Sequence, residues 1–214
     1  MKYKFILFFF LISMVSFSQK KVIKKFETQS KEIEILTNGL DDFILENSTS
    51  GFVEIILFAE NPDEQHILVN SENNVLLVEF KITEIQPEET VFRKFITKRL
   101  YRASAIVKVP KGIKTTIFGD NINIESKDFE EGLSIFIENG IIKLNQIKEN
   151  TQVKLYSGNV SGILRNTNVD VNSKLGKIKI DEDFYEKTYQ INSKINQQKL
   201  GITTIKANIF LTTK

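Results

Sequence analysis

A pattern of alternating apolar and polar residues recurs from residue 106 onward and constrains the fold more than any other feature. Its clearest copies are residues 113–117, 133–137, 151–155 and 169–173. Each copy has apolar or small residues at its first, third and fifth positions. These positions share one face of a β-strand, because successive side chains point to opposite faces. The chain is therefore predicted to be all-β.

Each copy is followed by a turn containing Gly, Asn, Asp or Ser, residues that tolerate the positive φ of a tight corner. The apolar residues after the turns are Ile122, Ile142, Val160 and Ile178, at steps of 20, 18 and 18 residues. A nearly constant period is typical of stacked repeats. It predicts a single-stranded β-helix, or β-solenoid, with rungs of about 18–20 residues. An antiparallel sandwich, which also has short alternating strands, is the alternative.

The chain divides into three predicted segments. Residues 1–18 are predicted to be a signal peptide, residues 19–105 irregular β rungs, and residues 106–214 regular rungs with a C-terminal cap. Residues 81–105 break the period and are interpreted as an inserted β-hairpin. The last alternation, residues 205–211, is expected to be a closing strand, because an open end of stacked strands needs a cap. The rungs before and after residue 105 are expected to form one continuous domain.

The N-terminal residues predict export. Lys2 and Lys4 precede an apolar run, and Ser16 and Ser18 follow at the spacing of small residues that signal peptidase recognises. The run covers residues 5–17, well short of the roughly 20 residues that span a bilayer. We expect cleavage after Ser18 and a mature protein that is periplasmic, on the cell surface or secreted, without a membrane span. The chain has no cysteine, so it is not expected to be a lipoprotein.

Charge and composition exclude several classes of function. The whole chain has a net charge of +2, and the predicted signal removes two lysines, which leaves the mature protein near neutrality. A nucleic-acid-binding protein usually has a basic excess, so no nucleic-acid partner is expected. Without cysteine, thiolate metal sites and cysteine catalysis are also excluded.

Four short segments carry a family resemblance. They are the end of the signal at residues 16–19 (SFSQ), residues 107–112 (VKVPKG), and the turns at 139–140 (NG) and 157–158 (SG). On these residues the chain resembles the putative-adhesin family of unknown function found in bacterial envelopes, over about residues 106–182. The resemblance implies a β-solenoid with head-domain-like adhesin repeats and an extracytoplasmic location.

Two surface features are candidate contact sites. Phe118, Phe136 and Tyr156 are predicted to point outward, with Phe118 and Tyr156 in one column and Phe136 one column away. Bare aromatic rings are typical of binding surfaces for sugars and peptides, although the inserted hairpin or the N-terminal strands could instead cover them. The second feature is a basic patch suited to anionic headgroups, or alternatively an edge strand protected by charge. It consists of Arg93, Lys94, Lys98, Arg99 and Arg102.

Catalytic chemistry has little support in the sequence. The single histidine, His66, follows a turn and no nucleophile motif accompanies it. Some enzymes on stacked-strand scaffolds use paired carboxylates. The acids that neighbouring rungs could bring together are Asp120, Glu138, Asp170, Asp181 and Asp183. They do not recur at one position of the repeat, and residues 181–183 lack the glycine and distant glutamate of a calcium loop.

The favoured interpretation is a non-enzymatic envelope protein without cofactor or metal. Its rigid strands would form a binding or adhesion-type scaffold for an unknown envelope protein or glycan. Two alternatives stay open: a carbohydrate-active enzyme, and a periplasmic carrier or envelope-stress accessory protein.

Overall fold

The computed structural model describes residues 20–82, 103–192 and 198–214. Within them it contains seventeen β-strands and one short 3-10 helix at Glu64–His66. The strands are β1 (Lys20–Glu27), β2 (Glu32–Leu36), β3 (Asp42–Asn47), β4 (Phe52–Ala59), β5 (Ile67–Glu72), β6 (Val75–Phe80), β7 (Ser104–Val109), β8 (Lys114–Asn121), β9 (Asn123–Lys127), β10 (Leu133–Leu144), β11 (Thr151–Leu164), β12 (Asn168–Ser173), β13 (Ile178–Ile180), β14 (Asp183–Tyr185), β15 (Thr188–Ile191), β16 (Lys199–Thr204) and β17 (Asn208–Thr213).

The alternating pattern forms strands because it gives each strand one apolar face. In β10, Leu133, Ile135 and Ile137 are buried, while Ser134 and Phe136 between them stay partly exposed. Burying an isoleucine or leucine side chain contributes about 1.5–3 kcal/mol. The strand positions that alternation predicts are therefore also the positions that build the core.

All seventeen strands belong to one mixed sheet, which folds on itself into a nearly closed, barrel-like structure. We describe it as two rows. Pairing along the first row runs β5, β6, β2, β8, β10, β11, β16, β12, β15. Pairing along the second row runs β1, β4, β7, β3, β9, β10, β11, β17, β13, β14. The long strands β10 and β11 belong to both rows and change row near Gly140 and Gly158, and the buried apolar faces form one core.

The prediction of a single-stranded β-helix is wrong. Five strand pairs are antiparallel among the described residues, and strands do not follow one another in chain order. The strands β2 and β3 lie between β6 and β7 on one side and β8 and β9 on the other. Parallel and antiparallel neighbours bury the same side of a strand, so alternation alone cannot tell which strand lies next to which.

The predicted repeat step is also wrong at two of its three places. Ile142 pairs with Ile124 rather than with Ile122. Val160 and Ile178 are not neighbours, because Ile209 of β17 lies between them and pairs with both. The prediction that residues 205–211 close the end of the sheet is wrong, because β17 is an interior strand with partners on both sides. An offset of 18 residues holds locally, where Leu133 pairs with both Thr115 and Thr151.

The predicted signal peptide and almost all of the predicted hairpin, residues 83–102, lie outside the described residues. No helix within residues 20–82, 103–192 and 198–214 has the length and hydropathy needed to cross a bilayer.

Candidate binding surface

The predicted aromatic residues lie on the outer face of the first row. Phe118 of β8 and Phe136 of β10 follow the buried residues Ile117 and Ile135, so alternation turns both rings outward. The two phenylalanines are direct partners in the parallel pair. Their ring centroids are 5.4 Å apart at an interplanar angle of 20°, which is a stacked arrangement. Both rings are half-buried, and together they form a small apolar surface on the outer face of the sheet.

Tyr156 extends this surface from a different position than predicted. The residue opposite Phe136 on β11 is Lys154, so Phe118, Phe136 and Lys154 form one outward column. Tyr156 lies two residues further along β11, also outward, and is 51% exposed. The prediction that Phe118 and Tyr156 share a column is therefore wrong, because it used the uneven 20-residue step. Together Phe118, Phe136 and Tyr156 form what we call the aromatic strip.

The ammonium groups of two lysines lie over rings of the aromatic strip. Lys154 Nζ lies 5.4 Å from the centroid of Phe136, and Lys206 Nζ lies 5.5 Å from that of Tyr156. Such cation–π contacts contribute about 0.5–1 kcal/mol at exposed sites. On the far side of Phe118, Leu36 of β2 continues the column as a half-buried apolar residue. The surface therefore offers apolar rings with ammonium groups at their faces.

The predicted acids are not gathered into one site. Glu138 lies between Ile137 and Asn139, which pair with Gly119 and Asn121, so it faces the neighbourhood of Asp120 beside the aromatic strip. Both are exposed. Asp170 lies on β12 in the first row, whereas Asp181 and Asp183 lie at the β13–β14 end of the second row.

Two of these acids have a pKa shifted opposite to that of a general acid. Hydrogen bonds from Gln190 and then Lys199 lower the pKa of Asp170. The hydroxyl and the backbone N–H of Thr213 donate to Asp181, at 2.6 and 2.8 Å, and lower its pKa. A glycosidase general acid needs a raised pKa. These two carboxylates are therefore acceptors in structural hydrogen bonds.

His66 takes part in a local cap. Its Nδ1 accepts the backbone N–H of Asp63 at 3.1 Å, and Asp63 Oδ1 in turn accepts the backbone N–H of Gln65 at 2.9 Å. This reciprocal arrangement is a capping box on the short 3-10 helix. The basic patch from Arg93 to Arg102 lies outside the described residues and stays a prediction. In the part of the chain that the structure describes, no group of three His, Cys, Asp or Glu side chains could hold a metal ion.

A second apolar surface was missed at the sequence level. On the outer face of the second row, Ile23, Ile56, Ile106 and Ile44 are consecutive partners across β1, β4, β7 and β3. Ile23 is 45% exposed and the other three are half-buried. The available signal was the run FVEIILFA in β4, which is apolar on both of its faces.

Comparison with known proteins shows a shared fold. No protein-family model and no curated protein matches the chain in sequence. A crystal structure described as a putative cell adhesion protein from Clostridium sporogenes is similar, with a TM-score of 0.65 and 10% identity, covering 92% of this chain and 100% of that one. At this identity the likeness shows the fold alone.

Two further crystal structures align over most of the chain with low TM-scores. One is described as a putative adhesin from Bacteroides fragilis, with a TM-score of 0.31 and 11% identity over 92% of this chain and 98% of that one. The other, a putative adhesin from Parabacteroides distasonis, has a TM-score of 0.33 and 11% identity over the same shares. Scores this low carry no structural argument, and the fold assignment depends on the Clostridium protein.

Proposed function

We propose that this chain is a non-enzymatic binding protein of the bacterial envelope, and that the outer face of the first row binds an envelope glycan through the aromatic strip. The observation that carries the proposal is the stacked pair Phe118 and Phe136, flanked by Lys154 and by the exposed ring of Tyr156. A protein partner is the alternative ligand for the same surface.

The chemistry of the strip suits a sugar chain. Aromatic faces stack on the apolar faces of sugar rings. Exposed carboxylates and ammonium groups beside the rings can accept and donate hydrogen bonds to sugar hydroxyls, and Asp120, Glu138 and Lys154 supply them. The strip lies on paired strands in the middle of the row, so its geometry is set before any ligand arrives, which reduces the entropy cost of binding. The similar Clostridium structure is described as a putative cell adhesion protein, which is consistent with a binding role.

A double substitution of the strip tests this proposal. Phe118→Ala with Tyr156→Ala is expected to weaken binding to the glycan fraction of the protein's own envelope by about 10- to 100-fold, because each lost ring contact contributes on the order of 1 kcal/mol. The measurement is a binding titration of the purified protein against fractionated envelope glycan and envelope protein.

The matched control is Phe210→Ala, which removes a 42%-exposed ring from the outer face of the second row. It should bind as the wild-type protein does. Unchanged binding by the double variant would refute the strip as the site. Loss of binding only in the protein fraction would assign the strip to a protein partner, and release of shortened glycan would contradict the non-enzymatic role.

We further propose that the chain is exported and cleaved after Ser18, as the basic, apolar and small-residue regions of residues 1–18 indicate. Mass spectrometry of the protein recovered from the envelope should give a mature N-terminus at Gln19. A control with Ser16→Phe, which places a bulky residue at the recognition spacing, should accumulate unprocessed chain. An intact N-terminus in the native protein would overturn the proposal.

A further inference from the structure

The second row ends in two strand edges of opposite charge. At one end, β1 pairs only with β4 among the described strands, and at the other end β14 pairs only with β13. The β1 strand carries four lysines, namely Lys20, Lys21, Lys24 and Lys25. The segment that contains β14 carries four acids, namely Asp181, Glu182, Asp183 and Glu186. An edge with unpaired backbone groups is a template for pairing with another chain.

Strand directions allow the two edges to pair between copies. From β7 to β13 every neighbouring pair in the second row is parallel. At one end β4 is antiparallel to β7 and β1 is antiparallel to β4, which returns β1 to the common direction. At the other end β14 is antiparallel to β13. A second copy stacked on the end of the first would therefore present β1 as an antiparallel partner for β14.

One register of the β1–β14 pair places opposite charges across from each other and keeps outward-pointing side chains on the same face. When Phe184 faces Ile23 of the next copy, Glu182 faces Lys25 and Glu186 faces Lys21. Lys21, Ile23, Lys25 and Phe184 point away from the core, since they alternate with the inward positions of β1 and β14. Glu182 and Glu186 flank the three-residue strand β14, one on each side, and both are exposed. Phe184 is 68% exposed and Ile23 is 45% exposed, so their contact would cover apolar surface that is largely open to solvent in one copy. Lys179 Nζ lies 5.7 Å from the centroid of the Phe184 ring.

The inward positions match in the same register. Tyr185 faces Val22 and Asp183 faces Lys24. Tyr185 is paired with the buried Ile178, and Val22 with the buried Leu57, so both lie on the core side of their strands. Tyr185 is 37% exposed, which leaves an incomplete core face at this end of the sheet. Shifting the register by two residues either way places charged groups opposite apolar ones.

We propose that copies of this protein associate head to tail, with the β1 edge of one copy adding to the β14 edge of the next as an antiparallel strand pair. Existing contacts are compatible with this interface. Lys24 Nζ donates to the backbone oxygen of Ile67 at 2.8 Å, and Glu182 accepts from Lys179 at 3.1 Å. An ammonium group has three donors and a carboxylate has several acceptor positions, so each can make a further contact.

The charges also select the partner. Two lysine-rich β1 edges repel each other, as do two acidic β14 edges, and only the mixed pair is attractive. The interface joins different surfaces of identical chains, so two associated copies keep a free β1 edge at one end and a free β14 edge at the other, and further copies can add. This inference goes beyond the proposed glycan site, which lies on the other row.

A charge-swap experiment tests the interface. We compare sedimentation of the processed wild-type protein with that of Lys21→Glu with Lys25→Glu and of Glu182→Lys with Glu186→Lys. The wild-type protein should form concentration-dependent oligomers at low salt that dissociate near 1 M salt, where the Debye length falls to about 3 Å. For each variant alone, the association constant should fall by at least about tenfold, because like charges then face each other. A mixture of the two variants should associate again, since each then supplies the edge that the other needs.

The control is Lys31→Glu with Lys114→Glu, which makes the same charge change at two exposed residues, one just before β2 and one at the start of β8 in the first row. It should associate as the wild-type protein does, and so should Phe118→Ala with Tyr156→Ala, which separates this interface from the glycan site. Circular dichroism checks that each variant is folded. A wild-type protein that stays monomeric at low salt and high concentration, or a mixture that fails to restore association, would overturn the inference.

Discussion

Gly158→Ala is expected to destabilise the protein by at least about 3 kcal/mol, a large part of the 5–15 kcal/mol that stabilises a typical domain. Gly158 has a backbone φ of 125°, a value that residues other than glycine rarely adopt. An added Cβ would lie 1.9 Å from the backbone oxygen of Gly140. That oxygen belongs to a paired strand and cannot move without breaking the β10–β11 ladder. The same crowding recurs at Gly140, whose added Cβ would lie 1.8 Å from the oxygen of Ile122.

The matched control for this prediction is Gly201→Ala. Gly201 lies inside β16, between β11 and β12, yet no atom lies within 4 Å of its added Cβ and its φ is not in the left-handed region. Its replacement should change stability by less than about 1 kcal/mol. Urea denaturation of the three proteins measures the difference. Equal stability of Gly158→Ala and Gly201→Ala would mean that the bend does not require the close backbone approach.

The bend at Gly158 also bears on the aromatic strip. Phe136 and Tyr156 lie a few residues before the points where β10 and β11 change row. Just past them, Asn139 accepts from the Ser157 hydroxyl at 2.9 Å and donates to Asn121 at 3.3 Å, which joins three neighbouring strands. A variant that opens this bend should therefore also disturb the relative positions of the strip's rings.

The sequence predicts where the strands lie and which of their faces is buried, but it does not predict which strands pair with each other. The predicted segments at 133–137, 151–155 and 169–173 are all strands, and their buried residues alternate as expected. What alternation cannot encode is the partner of each strand. The strands β16 and β17 come last in the chain but lie between strands that precede them, and the alternating pattern is the same for an interior strand as for a terminal one.

The candidate site shows the same limit. That Phe118 and Phe136 point outward follows from alternation, but their direct stacking depends on the local 18-residue offset. The opposite charges of residues 20–25 and 181–186 are visible in the sequence. Their meaning depends on both segments lying at the two ends of one row, which only the strand order shows.

The largest effect on folding is expected from removal of residues 198–214. These residues form β16 and β17, which pair on both sides: Ile202 lies opposite Val153 and Val171, and Ile209 lies opposite Val160 and Ile178. Both isoleucines are buried. Without β16 and β17, the strand β11 would lose its partners on one side, and β12 and β13 would lose the strands that connect them to the rest of the sheet. We expect the shortened chain to show no cooperative unfolding transition.

A point substitution gives the same test on the full chain. Ile202→Ala should lower the free energy of unfolding by about 2–5 kcal/mol, because it opens a cavity in the core beside Val153 and Val171. Ile141→Ala should cost less than about 0.5 kcal/mol, since Ile141 is 51% exposed on the outer face of the second row. Thermal unfolding monitored by circular dichroism compares the two.

The two architectures predict different outcomes for the shortened chain. If strands were stacked in chain order, residues 198–214 would be the last layer, and their loss would only shorten the stack and leave the preceding layers folded. In the observed order, loss of β16 leaves β11 and β12 without the strand that joins them. A synthetic peptide of residues 198–214 should therefore restore the cooperative transition by entering between β11 and β12. A shortened chain that unfolds cooperatively without the peptide, with most of the wild-type stability, would show that the interior position of β16 and β17 is incorrect.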